Sequence, residues 1–146
     1  MKENITGKLL EYIKENNPDL LMQLEEDGKV PEYLFDKVST VNALIDQQDE
    51  KRPTYIIEEA CMDVLTQDLR PSKFNYISSI IEEEFETTFR QLQESGTLKF
   101  EVINLIQECQ PVFDDLIFSE ENEDNQFLRY CIAGTISEYL EKGTSE

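Results

Sequence analysis

Apolar residues recur along this chain at intervals of three and four, the spacing that gathers them on one face of a helix. Ile5, Leu9 with Leu10, and Ile13 begin the series, and Asn16-Asn17-Pro18 stops it. Pro18 suits the first turn of a short second helix, PDLLMQLEE, which Asp27-Gly28 closes. Pro31 opens a third, with Leu34, Val38, Val41 and Ile45 on one stripe, expected to run to about Gln48 and fray in the charged DEKR stretch. Pro53-Thr54 restarts the chain, and Ile57, Cys61, Val64 with Leu65, and Leu69 keep the helical period until Arg70-Pro71 breaks it.

Ser72 is placed to cap a long fifth helix that Ser95-Gly96 ends. Thr97 starts the next, in which Leu98, Val102, Leu105 with Ile106, and Cys109 align. Pro111, which has no amide proton, must kink or end it, leaving PVFDDLIF as a further turn before the polar loop SEENEDN. A last helix carries Leu128, Cys131 with Ile132, Thr135 and Tyr139, with Gly143 as its cap. No strand alternation, internal repeat or interdomain linker breaks this pattern. The expectation is all-α: a compact bundle of six or seven helices forming one domain over residues 1–146.

Within the fifth helix stands EEEFE, four acids in five positions. Turned at about 100° per residue, Phe74, Ile77, Ile81, Phe85, Phe89 and Leu92 share one broad stripe. Glu83 and Glu86 point away from it, and Glu82 and Glu84 flank it. Glu86 lies four residues before Arg90, the favourable order for a surface ion pair of about 0.2–0.5 kcal/mol. Each large apolar side chain buried contributes roughly 1.5–3 kcal/mol before ordering entropy, so the apolar face decides the segment and the acids are its wet side.

Charge changes the picture more than length or composition do. The 146 residues carry a net charge of −19, and residues 101–146 hold only two bases, Arg129 and Lys142, against 11 acids. Such a field repels phosphate backbones and anionic lipid, so no direct nucleic-acid or membrane binding is expected, and a protein with a basic surface is the favoured partner. The densest acidic segment holds Asp114, Asp115, Glu120, Glu121, Glu123 and Asp124, the first choice for that contact. The start, MKENITGKLLEY, has no apolar signal region, no stretch reaches the ~18 apolar residues of a membrane span, and the three cysteines form no close pair. A cytoplasmic protein with reduced thiols is expected.

Catalytic chemistry finds little support. With no histidine in the chain, imidazole-based metal sites, Ser-His-Asp or Cys-His catalysis and histidine acid–base work are excluded. Cys61, Cys109 and Cys131 lie on apolar stripes without a neighbouring base, which reads as small core residues rather than nucleophiles. A calcium loop from Glu121 fails, because Gln126 stands where glycine and Ile132 where an acid is needed. No glycine-rich phosphate loop exists, and Gly134 reads as a close helix contact. Arg70 is expected on the last carbonyls of the fourth helix, with Lys73 solvated. No cofactor, metal or catalytic residue is expected.

The stretches EEACMDVLTQDLRPSKFNYISSIIEEEFE, LIQECQPVFDDLIF and AGTISEYL together resemble a small domain-of-unknown-function family. Ser72-Lys73-Phe74, Glu84-Phe85, Cys109-x-Pro111-Val112-Phe113 and Gly134-Thr135 carry the resemblance, over about residues 55–140. Arg70-Pro71 stands where the family pattern has His-Phe. The resemblance implies a compact helical protein found largely in Bacteroidetes and often carried on conjugative transposons, and it implies no reaction. The leading expectation is a non-enzymatic accessory protein that binds another protein. An acidic mimic of nucleic acid, filling the groove of a DNA-binding protein, is the alternative, followed by a carboxylate- or metal-dependent enzyme.

Overall fold

The computed structural model of the protein describes residues 1–46 and 52–144. Its described residues form nine α-helices and one 3₁₀ turn, with no strand. The helices are α1 (Lys2–Asn16), α2 (Pro18–Glu26), α3 (Val30–Ser39), α4 (Asn42–Asp46), α5 (Thr54–Thr66), α6 (Lys73–Glu84), α7 (Glu86–Ser95), α8 (Leu98–Asp115) and α9 (Gln126–Thr144), with the 3₁₀ turn at Gln67–Leu69.

Two expected helices are each divided, which accounts for nine rather than six or seven. The third ends at Ser39 because hydroxyls compete for its last carbonyls: Ser39 Oγ donates to Phe35 O at 2.8 Å and Thr40 Oγ1 to Lys37 O at 2.6 Å. Val41 stays buried in the turn that follows. The expected continuation to Gln48 and the fraying beyond it fall on residues 47–51, outside the described part of the chain. The fifth helix breaks at Phe85, whose φ of −130° and ψ of 50° leave the helical region. The break lets α7 pack against α6 and α8, which a single straight helix could not do with its own continuation.

Conversely, α8 runs through Pro111 to Asp115. The proline forfeits one helical hydrogen bond, but Cys109 and Phe113 on either side of it are both buried and hold the helix in one piece. The helix α9 likewise continues past Gly143 to Thr144. Its buried face is Leu128, Ile132 and Ile136: Leu128 and Ile132 are on the expected stripe, whereas Cys131, Thr135 and Tyr139 are half-buried beside it and Ile136 takes their place in the core. Gly134 is exposed, and a side chain there would meet nothing within 4 Å, so it is not a close helix contact.

The chain gathers into two compact units, Met1–Arg70 and Pro71–Glu146. In the first, α1 packs against α2, α3 and α5, and Ile5, Leu9 and Ile13 meet Val38, Ile57, Cys61 and Leu65 in the core. Lys8 pairs with Glu58 at 2.6 Å and Lys37 with Asp68 at 2.7 Å around it. Arg70 closes the unit, its Nε donating to Thr66 O at 3.3 Å and its guanidinium pairing with Asp63 at 3.0 Å, as expected for a base at a helix C-terminus.

In the second unit α6, α8 and α9 enclose a core of Ile77, Ile80, Ile81, Val102, Leu105, Cys109, Phe113, Leu128, Ile132 and Ile136. Ser72 caps α6, its Oγ accepting from Asn75 N–H at 3.0 Å. Gly96 ends α7 with φ 75°, a left-handed conformation that glycine adopts without strain. Lys73 is not solvated as expected. It donates to Gln110 Oε1 at 3.1 Å, and its ammonium lies 5.4 Å from the centre of the Phe113 ring.

The acids of EEEFE are exposed, and Glu86 pairs with Arg90 at 2.9 Å. Two of them do more than face water: Arg129 of α9 reaches Glu83 at 2.6 Å and Glu84 at 3.3 Å, joining the end of α6 to α9. Of the six residues expected on the stripe, Ile77 and Ile81 are fully buried, while Phe74, Phe85, Phe89 and Leu92 are half-buried. Ile81→Ala is expected to cost about 2–5 kcal/mol, as for a buried isoleucine, and Phe85→Ala less than that. Urea unfolding of the two variants checks the ranking, and an equal or larger loss at Phe85 would mean that the helix break is not where the structure has it.

Candidate functional site

The acidic segment of the second unit is an ordered turn built on the end of α8. Ile117 N–H donates to Asp114 O at 3.3 Å and Phe118 N–H to Phe113 O at 3.0 Å, the paired closing bonds of a helix that ends in a left-handed residue. That residue is Ile117, with φ 52° and 77% of its surface exposed. A β-branched side chain is strained there, by about 1–2 kcal/mol relative to glycine.

Phe118 then turns back into the core. Its ring centre lies 4.8 Å from Phe113 and 4.9 Å from Tyr76. Asn122 ties the turn together: its Oδ1 accepts from Ser119 N–H at 2.8 Å, and its amide donates to Leu116 O at 2.8 Å and Ile117 O at 3.1 Å. Asn125 finishes it, its Oδ1 accepting from Leu128 N–H at 3.0 Å to cap α9.

All six expected contact residues, Asp114, Asp115, Glu120, Glu121, Glu123 and Asp124, are exposed on this frame. Asp114 accepts from Gln110 Nε2 at 2.8 Å, and none of the six forms an ion pair among the described residues. Beside them in the chain, Ile117, Phe127 and Tyr130 are 77%, 62% and 76% exposed. Phe127 and Tyr130 are three residues apart and share a face of α9. The turn therefore presents unneutralised carboxylates together with large apolar side chains, an apolar element that charge counting alone does not reveal. Tyr76 sits beneath, its hydroxyl out of solvent and without a hydrogen-bond partner. Burial raises its pKa, Arg129 opposes that, and Asp124 and Glu123 add to it.

Each unit also carries a groove of its own. In the first unit, a groove of about 730 Å³ between α1 and α5 is bordered by Glu3, Glu11, Glu15 and Glu58; the first three face outward and the fourth is held by Lys8. In the second, a groove of about 510 Å³ between α6 and α7 has Phe74, Phe89 and Leu92 on its walls. Among the described residues, no three of Cys, Asp and Glu stand together as metal ligands, and no helix is long and apolar enough to cross a membrane.

The cysteines are free thiols, with Cys61 and Cys109 buried and Cys131 half-buried. Burial raises Cys61, with Glu58 adding to it, and pushes Cys109 up to about 12, with Glu108 adding to it. Neither thiol is set up as a nucleophile, since a thiolate needs the opposite shift.

A family model described as a domain of unknown function (DUF1896) matches residues 5–144, and the chain belongs to that family. The match takes in α1 to α5 as well as the second unit, reaching further toward the N-terminus than the motifs of residues 55–140. No curated protein and no solved structure matches the chain.

Two predictions come from this geometry. Ile117→Gly is expected to stabilise the protein by about 1 kcal/mol in urea unfolding by releasing left-handed strain, whereas a loss would mean that the strain is smaller than the freedom glycine adds to the unfolded chain. The second concerns alkaline pH. Folded Cys109 keeps its proton to about 12, while the unfolded chain releases it from the ordinary thiol value of 9.0. Above that value the unfolded state binds fewer protons, so stability is complete below it and falls as pH rises toward about 12. Tyr33, Tyr76 and Tyr139, all raised, act in the same direction. Denaturation midpoints measured on both sides of the thiol range are expected to drop at high pH, and less steeply in Cys109→Ala.

Proposed function

We propose that this protein is a non-enzymatic, cytoplasmic accessory protein, linked to mobile elements, that binds a protein with a basic surface through the turn after α8. One observation carries the reading. Six carboxylates without an ion-pair partner among the described residues stand on a turn held by Asn122 and Phe118, beside exposed Ile117, Phe127 and Tyr130. Carboxylates on a flexible tail would steer a basic partner but give it no fixed counterpart. On an ordered turn they keep a register, and the apolar residues supply area that a partner can desolvate. The mobile-element setting rests on the family resemblance, and the non-enzymatic reading on the lack of histidine and on thiols shifted away from reactivity.

The test is affinity capture from the native host with three forms: the unmodified protein, a variant with the six acids changed to Asn or Gln, and Phe127→Ser combined with Tyr130→Ser. A basic partner is expected on the unmodified protein, with an association rate that falls as salt shortens the reach of the acidic face to about 8 Å. Both variants are expected to lose at least tenfold in affinity, and the unmodified protein is expected to show no measurable binding to duplex DNA near physiological salt. Unchanged capture and unchanged salt dependence in the acid variant would overturn the charge-driven interface. A captured DNA-binding protein that duplex DNA displaces would favour nucleic-acid mimicry instead.

A further inference from the structure

The groove between α6 and α7 lies apart from the acidic turn and shares no residue with it. Its volume of about 510 Å³ falls in the range of pockets that hold small ligands. Phe74, Phe89 and Leu92 make its apolar walls, and α7 packs against two helices yet buries none of its own residues completely. Along α6 the groove is lined with short polar side chains, among them Ser78, whose Oγ is out of solvent and has no hydrogen-bond partner. A hydroxyl closed off in this way is unusual, because nearly all buried polar groups are paired.

The two charges on the groove are opposite, and the chain places them on either side of α7. Glu82, three residues before the break at Phe85, has no basic partner among the described residues. Lys99, in the first turn of α8, has no acidic partner among the described residues. The ten residues of α7 between the break and Gly96 measure about 15 Å along the axis. An extended peptide of about four residues spans ~13 Å. Its apolar side chains would lie against Phe74, Phe89 and Leu92.

We propose that this groove binds the C-terminal end of a peptide or protein, an apolar segment of about four residues that carries a lysine or arginine three residues before its terminal carboxylate. The basic side chain pairs with Glu82 and the terminal carboxylate with Lys99. A backbone amide of the segment pairs with Ser78 Oγ, which a rotation about its χ1 brings round to the groove. The acidic turn selects partners by net positive charge. This groove selects by chain end and charge order.

The test titrates the isotope-labelled full chain with the tetrapeptide Lys-Val-Val-Leu and follows backbone amide resonances. Shifts confined to Ser78, Ser79, Glu82, Gln93, Gly96 and Lys99 are expected to saturate. C-terminal amidation of the peptide and Lys99→Gln are each expected to weaken binding about tenfold, as is Glu82→Gln, and Glu82 and Lys99 are exposed, so both variants fold. Ser78→Ala is expected to raise the melting temperature by removing an unpaired hydroxyl while weakening the peptide. Equal binding of amidated and free peptide would overturn carboxylate recognition, leaving an apolar groove without end selectivity. No shifts at millimolar peptide, or shifts centred on residues 114–130, would overturn the site.

Discussion

Thirty-two carboxylates on one short chain push against folding, and the apolar stripe running down each helix is what overcomes them. The ion pairs are too few and too exposed to do so. Lys8–Glu58, Lys37–Asp68, Arg70–Asp63, Arg90–Glu86 and the Arg129 pair with Glu83 and Glu84 lie at the surface, where each is worth about 0–1 kcal/mol. The stripes close into two cores, one around Ile5, Leu9 and Ile13 and one around Ile77, Ile81 and Leu105. Most of the described carboxylates then stay in water while the helices that carry them pack, with Glu58 held against Lys8 as an exception.

The same division of labour shapes the acidic turn. Its backbone is held by groups without charge: two closing bonds of α8, the amide of Asn122, the cap at Asn125 and the ring of Phe118 in the core. The acid side chains make none of these bonds, and among the described residues they form no ion pair. A surface whose shape does not depend on its charges can change those charges without changing shape. The same holds for the groove on α6 and α7, where Glu82 and Lys99 project from helices that apolar contacts fix in place.

What the sequence made legible was local. Ser72 caps α6, Gly96 ends α7, Glu86 meets Arg90, and Arg70 finds the carbonyls of its own helix, because each depends on residues within a few positions. The breaks at Thr40 and Phe85 were hidden because neither position has a glycine or proline, and both depend on competition with side chains or on packing against a distant helix. Pro111 misleads in the opposite sense: the helical rule against proline yields to Cys109 and Phe113, buried on either side. The six acids could be found by counting. The order of their turn could not, because Asn122 and Phe118 resemble ordinary loop residues until their partners are known.

The helix α7 has a consequence for motion. Among the helices of the second unit it is the one with no buried residue, and left-handed Gly96 at one end and the irregular Phe85 at the other separate it from its neighbours. A segment of this kind detaches from its unit at a fraction of the free energy of global unfolding, because none of its own side chains is fully buried. The second unit can breathe along this one edge while the core beneath α6, α8 and α9 stays shut. In amide exchange with heavy water, α7 should lose its protons on a much shorter clock than α8, which contributes the largest share of sealed side chains.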